Sequence, residues 1–158
     1  PNLVFDAVAS GAKAPKTVQN FVQYAQDKHF DGTIFHRVID GFMVQGGGFT
    51  ADMAQKPTRA PIALEIDRSL KNERGTIAMA RTGNPNSATA QFFINLVDNA
   101  NLNAPQPDGY GYAVFGKVVS GMETIDAIRS VATRNQNGFQ NVPATPITIT
   151  TATVLTSP

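Results

Sequence analysis

The feature that most constrains this chain is a hydrophobic period that changes repeatedly along it. Apolar and polar residues alternate over Ile34 to Val38, Phe42 to Gln45, Thr76 to Ala80, Gln91 to Val97, Tyr112 to Val119 and Ile147 to Leu155. A period of two places successive side chains on opposite faces, so each run predicts a β-strand. A shorter run from Asn2 to Ala9 predicts another, ending near Ser10-Gly11. Clusters of turn formers such as TGNPNSAT (Thr82 to Thr89) and NAPQPDGYG (Asn103 to Gly111) separate the runs and favour loops. Two stretches have helical spacing. Pro15, suited to a first helical turn, precedes a stripe of Val18, Phe21, Val22 and Ala25, and Asp31-Gly32 closes the connection. Met122, Ile125, Ala127 and Ile128 form a second apolar side on a helix from Met122 to about Val131. Asn103 to Gly111 and Thr133 to Thr145 are expected to be long surface loops. Many short strands with two helices predict a mainly β fold, a barrel or sandwich capped by helices.

A chain of 158 residues is sized for one domain, 1–158, with a core that folds without staples. It contains no Cys, which excludes thiol nucleophiles and Cys-ligated metals and leaves the redox compartment open. His29 and His36 are its two histidines, and no His-x-x-His or His-Glu-x-x-His spacing occurs, so no metal or other cofactor is expected. Thirteen basic residues against twelve acidic ones give a net charge of +1 with no long run of either sign. Neither nucleic acid nor an anionic membrane is implied as a partner. The apolar runs fall far short of the ~20 residues of a membrane span, and no signal-like segment opens the chain. It begins at Pro1 without Met, as a processed or trimmed product would.

The stretch FHRVIDGFMVQGGGF (Phe35 to Phe49) sets Arg37 and Gln45 in an apolar run that ends in three glycines. On extended strands Phe35 and Arg37 share a face, as do Met43 and Gln45, and Gln91, Phe93 and Asn95. A hydrogen-bonding side chain beside a large apolar one, repeated on three strands, is the composition of a concave site that orients a mostly apolar ligand. The same pattern suits a surface arginine laying its stem over aromatic neighbours, with Gln45 and Gln91 facing solvent and the glycines forming a bulged turn. Periodicity leaves both readings open. His36 falls on the face opposite Arg37 and is expected to be structural, and His29 is expected as a cation at a helix end. Ser10 and Ser87 lie in no Gly-x-Ser-x-Gly context, and Gly46-Gly47-Gly48 lacks the Lys-Ser/Thr of a phosphate loop. Glu65, Asp67 and Glu73 suit a solvated face.

Four segments, FHRVIDGFMVQGGGF, IAMARTG (Ile77 to Gly83), SATAQFFINL (Ser87 to Leu96) and GYAVFGKVVSGM (Gly111 to Met122), together resemble the cyclophilin family of peptidyl-prolyl cis/trans isomerases. The resemblance covers nearly the whole chain from Pro15 onward, and AMART and QNVPATP are most similar to bacterial, especially periplasmic, members. It implies a closed barrel of eight antiparallel strands capped by two α-helices, with the site on the outer surface. It further implies Arg37 as the catalytic residue, Phe42, Met43 and Gln45 in the proline pocket and its rim, and Ala80 and Arg81 as backbone contacts. Gln91 and Phe93 follow from AQFF, and Leu102 and Tyr112 would complete the far wall. The partners implied are proline-containing peptides and unfolded or folding proteins, bound by a monomer without a cofactor in the periplasm or the cytoplasm. A module that binds proline segments with little catalysis is the competing expectation.

Three positions depart from the family pattern. Tyr112 stands where many eukaryotic members have His. Asn101 stands where many have Trp and bacterial members often Phe, which removes apolar area and implies weak cyclosporin binding. Only Pro1 to Ala14 precede the first helix, so the N-terminal hairpin is expected to be shortened.

Overall fold

The computed structural model describes residues 3–6 and 13–155. In chain order the elements are β1 (Val4–Asp6), α1 (Pro15–Gln26), β2 (Arg37–Ile39), β3 (Met43–Gly46), β4 (Thr76–Met79), β5 (Phe92–Asn95), a 3₁₀ turn (Ala100–Leu102), β6 (Val114–Ser120), α2 (Met122–Arg129), β7 (Thr133–Gln136) and β8 (Phe139–Pro143). An antiparallel six-stranded sheet runs β1-β6-β4-β5-β3-β2, and β7 and β8 form a separate pair. The fold is mainly β with two helices.

Strict alternation gives the sheet two buried faces. Val38, Val44, Ile77, Met79, Phe92, Ile94 and Phe115 point inward and pack with Tyr24 and Ala25 of α1 and Ile125 and Ile128 of α2. Their strand neighbours Met43, Ala78, Phe93 and Val114 form a second cluster with Leu102 on the outer face. All four residues of β5 are therefore buried. Burying a large aliphatic or aromatic side chain contributes about 1.5–3 kcal/mol, so the register of these strands is strongly specified.

Pro15 opens α1 as its fixed φ favours, but Ala14 supplies no side-chain cap. Glu65 does so from a distant loop, its Oε1 accepting hydrogen bonds from Thr17 N (2.6 Å) and Thr17 Oγ1 (2.7 Å). Glu65 is thus a helix cap and not part of a solvated acidic face. The helix ends with Lys28 N donating to Ala25 O and His29 N to Tyr24 O. This paired closure puts Lys28 at φ +58, a left-handed position usually held by glycine.

Several sequence expectations are corrected. Thr133 to Thr145 is a hairpin and not a long loop: Asn137-Gly138 takes positive φ at both positions (+51 and +81), the turn that matches strand twist. The polar side chains of β7 hid the alternation. Ile147 to Leu155 is not a regular strand but joins residues 32–35 through the Ile34–Thr148 bridge and flanking backbone bonds, Phe35 N to Ile147 O and Ile149 N to Thr33 O. The run from Ile34 likewise becomes a ladder strand only at Arg37, and α2 stops at Arg129. β1 pairs with β6 over Val4–Asp6; the rest of the expected first strand and hairpin, Asn2 and residues 7–12, lies outside the described residues.

Candidate active site

One row of cross-strand partners explains how residues distant in sequence meet. Arg37 pairs with Gln45, Gln45 with Phe93, Phe93 with Ala78, and Ala78 with Val114. All face outward, because a period of two sends every second side chain to the same face. The next row carries Ile39, Met43 and Asn95. Above them lies a cleft of about 140 Å³ lined by Arg37, Phe42, Met43, Gln45, Ala80, Arg81, Phe93, Leu102 and Tyr112. Nine of the ten residues expected at the site therefore converge on one cleft, the tenth being Gln91. A wider hollow of about 390 Å³ beside the end of α1 includes Lys56 and Arg59, but their cations are directed to the carbonyls of His29 and Asp31 and to Asp27.

Gln91 lies behind the cleft, not in its lining. Its Oε1 accepts a hydrogen bond from Gln45 Nε2 (2.9 Å), and Gln45 Oε1 accepts one from Arg37 Nη1 (3.2 Å). The chain Gln91–Gln45–Arg37 orients an exposed guanidinium through one of its donors, leaving the others without a partner among the described residues. The three glycines make the relay possible. A Cβ at Gly46 would lie 2.9 Å from Ile34 O, one at Gly47 2.9 Å from Phe92 Cε1, and one at Gly48 2.6 Å from Gln91 Cγ. The backbone after Gln45 runs directly under these groups, and only glycine leaves the space.

Met43, Phe93 and Leu102 are 2%, 5% and 7% exposed and form an apolar floor, with Phe42 at the rim. Tyr112 meets Phe93 edge-on at 5.8 Å. Its other contact is Arg81, whose guanidinium carbon lies 4.3 Å from the Tyr112 ring centroid. The Arg81 side chain is 1% exposed and makes an ion pair with Asp108 at 2.9 Å. Burial is the largest single influence on Asp108 and opposes its ionisation, but the hydrogen bonds from Arg81 and Tyr110 N and the Arg81 charge together outweigh it and hold the carboxyl below the usual range. Ala80 presents its backbone at the cleft, its N–H donating to Gln91 O across the strands.

The family model described as cyclophilin type peptidyl-prolyl cis-trans isomerase matches residues 7–154. The chain belongs to the cyclophilin family. This cyclophilin is 57% identical over 146 residues to peptidyl-prolyl cis-trans isomerase cyp18 of Streptomyces antibioticus, covering 91% of this chain and 88% of that one. It is 52% identical over 144 residues to peptidyl-prolyl cis-trans isomerase B of Escherichia coli, covering 90% and 88%. Among solved structures it is similar to a cyclophilin type isomerase of Cryptosporidium parvum crystallised in the presence of the dipeptide Ala-Pro, with a TM-score of 0.78 and 26% identity over 98% of this chain and 93% of the other.

Within this cyclophilin, an asparagine network that the sequence reading missed supports the cleft from beneath. Asn99 Nδ2 donates to Phe42 O and to Asn95 Oδ1, both at 2.8 Å. Asn95 Nδ2 donates to Asn72 Oδ1 (3.1 Å), and Asn72 Nδ2 donates to Leu102 O (3.2 Å) and Tyr112 O (3.4 Å). These three side chains are almost fully buried, and through them the backbones of Phe42, Leu102 and Tyr112 share one hydrogen-bonded frame. Their one sequence signal was polarity at one strand position and two positions between strands, which suits a loop equally well. Both histidines are structural. His36 is 4% exposed against Phe49, and burial, aided by the Arg37 charge, lowers its pKa to about 4. His29 is not the expected helix-end cation: burial is the main cause lowering its pKa, and its Nε2 lies 3.1 Å from Gly47 O. Asn101 is exposed and does not line the cleft.

Proposed function

We propose that this cyclophilin catalyses cis/trans isomerisation of Xaa-Pro bonds in the cleft beside Arg37. The observation that carries the assignment is an exposed guanidinium, braced by Gln45 and Gln91, at the edge of an apolar floor sized for one small ring. Amide resonance sets a barrier of ~18–20 kcal/mol, and uncatalysed exchange takes tens to hundreds of seconds. Turnover near 10³ per second requires lowering that barrier by roughly 5–7 kcal/mol. No covalent intermediate is needed.

As the amide twists, conjugation is lost and the prolyl nitrogen gains a lone pair. Arg37 donates a hydrogen bond to that nitrogen, an interaction almost absent from both planar states, so it lowers the barrier instead of tightening binding uniformly. Phe42, Met43, Phe93 and Leu102 hold the pyrrolidine ring away from water, which strengthens the bond. Gln45 and Gln91 keep Arg37 aimed, the backbone of Ala80 and Arg81 aligns the peptide before proline, and Tyr112 closes the far side.

The same reading extends to features supported more indirectly. Eight strands among the described residues and the backbone bonds of residues 147–149 to residues 33–35 support a closed barrel. The substrates are proline-containing segments of unfolded or folding proteins, met by a monomeric single domain. The AMART and QNVPATP resemblance favours the periplasm. The exposed position of Asn101 supports weak cyclosporin binding.

Exchange NMR on a short Ala-Pro peptide tests the central reading. Catalytic amounts of protein should produce cis/trans exchange cross-peaks within seconds. Saturable shifts of the peptide signals without faster exchange would instead identify a binding module.

A further inference from the structure

Arg81 is expected at the site through its backbone, yet its charged side chain is enclosed, only 1% exposed. Nη2 donates to Gly111 O (2.7 Å) and to both carboxylate oxygens of Asp108 (3.1 and 2.9 Å), and Nη1 donates to Thr82 O (2.9 Å). Its flat face lies 4.3 Å from the centroid of the Tyr112 ring, whose edge meets Phe93. Asp108 does not line the cleft, and it also accepts from Tyr110 N, so the carboxylate joins the 103–111 loop to the guanidinium. The loop's far end is equally confined: Gly111 adopts φ +77, and a Cβ there would lie 2.5 Å from Ala104 N.

We infer that Arg81 is a positioning residue whose side chain, oriented by Asp108 and Gly111, acts as the platform that holds the Tyr112 ring as the far wall of the cleft. A planar cation suits this task for two reasons. Its face attracts the ring electrostatically, while its edge donors reach two separate backbone points and a carboxylate. Tyr112 and Phe93 then form a fixed corner, and a bound peptide need not order an aromatic side chain that would otherwise sample several rotamers. The effect acts through Tyr112 on binding, and not on the reacting amide. Asp108, outside the cleft, thereby influences substrate affinity. The inference rests on the isomerase reading for its substrate, but peptide affinity reports on it independently of turnover.

The test compares wild type, Arg81→Met and Asp108→Asn, each with Tyr112 intact and with Tyr112→Ala. NMR titration gives Kd for an Ala-Pro peptide, and exchange NMR gives kcat and KM. Arg81→Met, which keeps a long apolar stem but loses charge and donors, should raise Kd and KM about tenfold with kcat changed less than about twofold. Asp108→Asn should raise Kd about threefold. In the Tyr112→Ala background both effects should shrink to within about twofold, the non-additivity of residues acting through one group. Should Arg81→Met not fold, Asp108→Asn on its partly exposed loop carries the same comparison. The inference is overturned if affinity is unchanged in the single variants, or if it falls equally with and without the Tyr112 ring. A wild type that binds peptide without catalysing exchange would contradict the isomerase reading while leaving the affinity comparison decisive for Arg81.

Discussion

Replacing Gly48 by alanine isolates the contribution of the hydrogen-bond chain behind Arg37. The new Cβ would lie 2.6 Å from Gln91 Cγ and 2.8 Å from its Cδ and Nε2, well inside the ~3.5 Å of an ordinary carbon contact. The backbone at 48 is tied by Lys56 N donating to Gly48 O at 3.0 Å, so Gln91 is the group that moves. Rotating it away removes the acceptor for Gln45 Nε2, a bond that contributes about 0.5–1.5 kcal/mol. Gly48 is not among the residues with positive φ, so alanine is compatible with the backbone and returns about 0.4–1 kcal/mol by narrowing the unfolded ensemble. The two terms nearly cancel, and the urea midpoint should stay close to wild type. Activity should not. With Gln45 unbraced, kcat/KM in the peptide exchange assay should fall about three- to tenfold, equivalent to about 0.7–1.4 kcal/mol of transition-state stabilisation. Wild-type kcat/KM in a variant whose Gln91 is seen to have moved would refute the role given to the relay.

Other consequences concern stability. His36 is held neutral in the folded state, its pKa lowered by burial from the usual 6.5 to about 4, so the unfolded chain binds the extra proton first. The folded state keeps the full His36 contribution above about pH 6.5 and loses it as pH falls toward 4, by on the order of 3 kcal/mol at the end of that window. Urea unfolding of wild type and His36→Phe between pH 7 and pH 4.5 should show a shallower acid decline in the variant; parallel curves would be inconsistent with this assignment. His29 shifts in the same direction and leaves a smaller acid dependence in both proteins. Lys28 occupies φ +58 at the end of α1 with its amide already bonded to Ala25 O. Lys28→Gly should therefore stabilise the protein by roughly 1 kcal/mol, measured by thermal unfolding, and a lower Tm would count against it.

The sequence made the outer face of this sheet legible because its strands are short and bury both faces. Met43 and Gln45 could be placed on one face of their strand, and Phe93 and Asn95 on one face of theirs, from a period of two alone. Phe35 could not: the regular ladder begins only at Arg37, and Phe35 turns inward against Phe92. Periodicity also left Arg37 undecided between a surface stem and a site, because the difference lies in cross-strand register with Gln45 and Phe93, which no single strand encodes. Gln91 was expected at the site from the family resemblance, but a motif gives no depth, and its amide lies behind the lining against Gln45. The frame of Asn72, Asn95 and Asn99 was hidden for a related reason: an amide reads as polar until its neighbours show it buried and satisfied. The β7–β8 hairpin escaped because its stability comes from an Asn-Gly turn and from packing, not from alternation.

The central claim is that Arg37 acts on the twisting amide and does not merely bind it. Arg37→Lys keeps the positive charge but replaces the planar fork with a point ammonium that cannot face Gln45 and the prolyl nitrogen together. Exchange NMR on an Ala-Pro peptide, with wild type, Arg37→Lys and Arg37→Ala at equal peptide saturation, measures this directly. The account predicts a fall in kcat of about a hundredfold or more for both variants, with peptide Kd changed only a few-fold, as for a contact made in the transition state. Wild-type kcat in Arg37→Lys, or a loss confined to Kd, would contradict it.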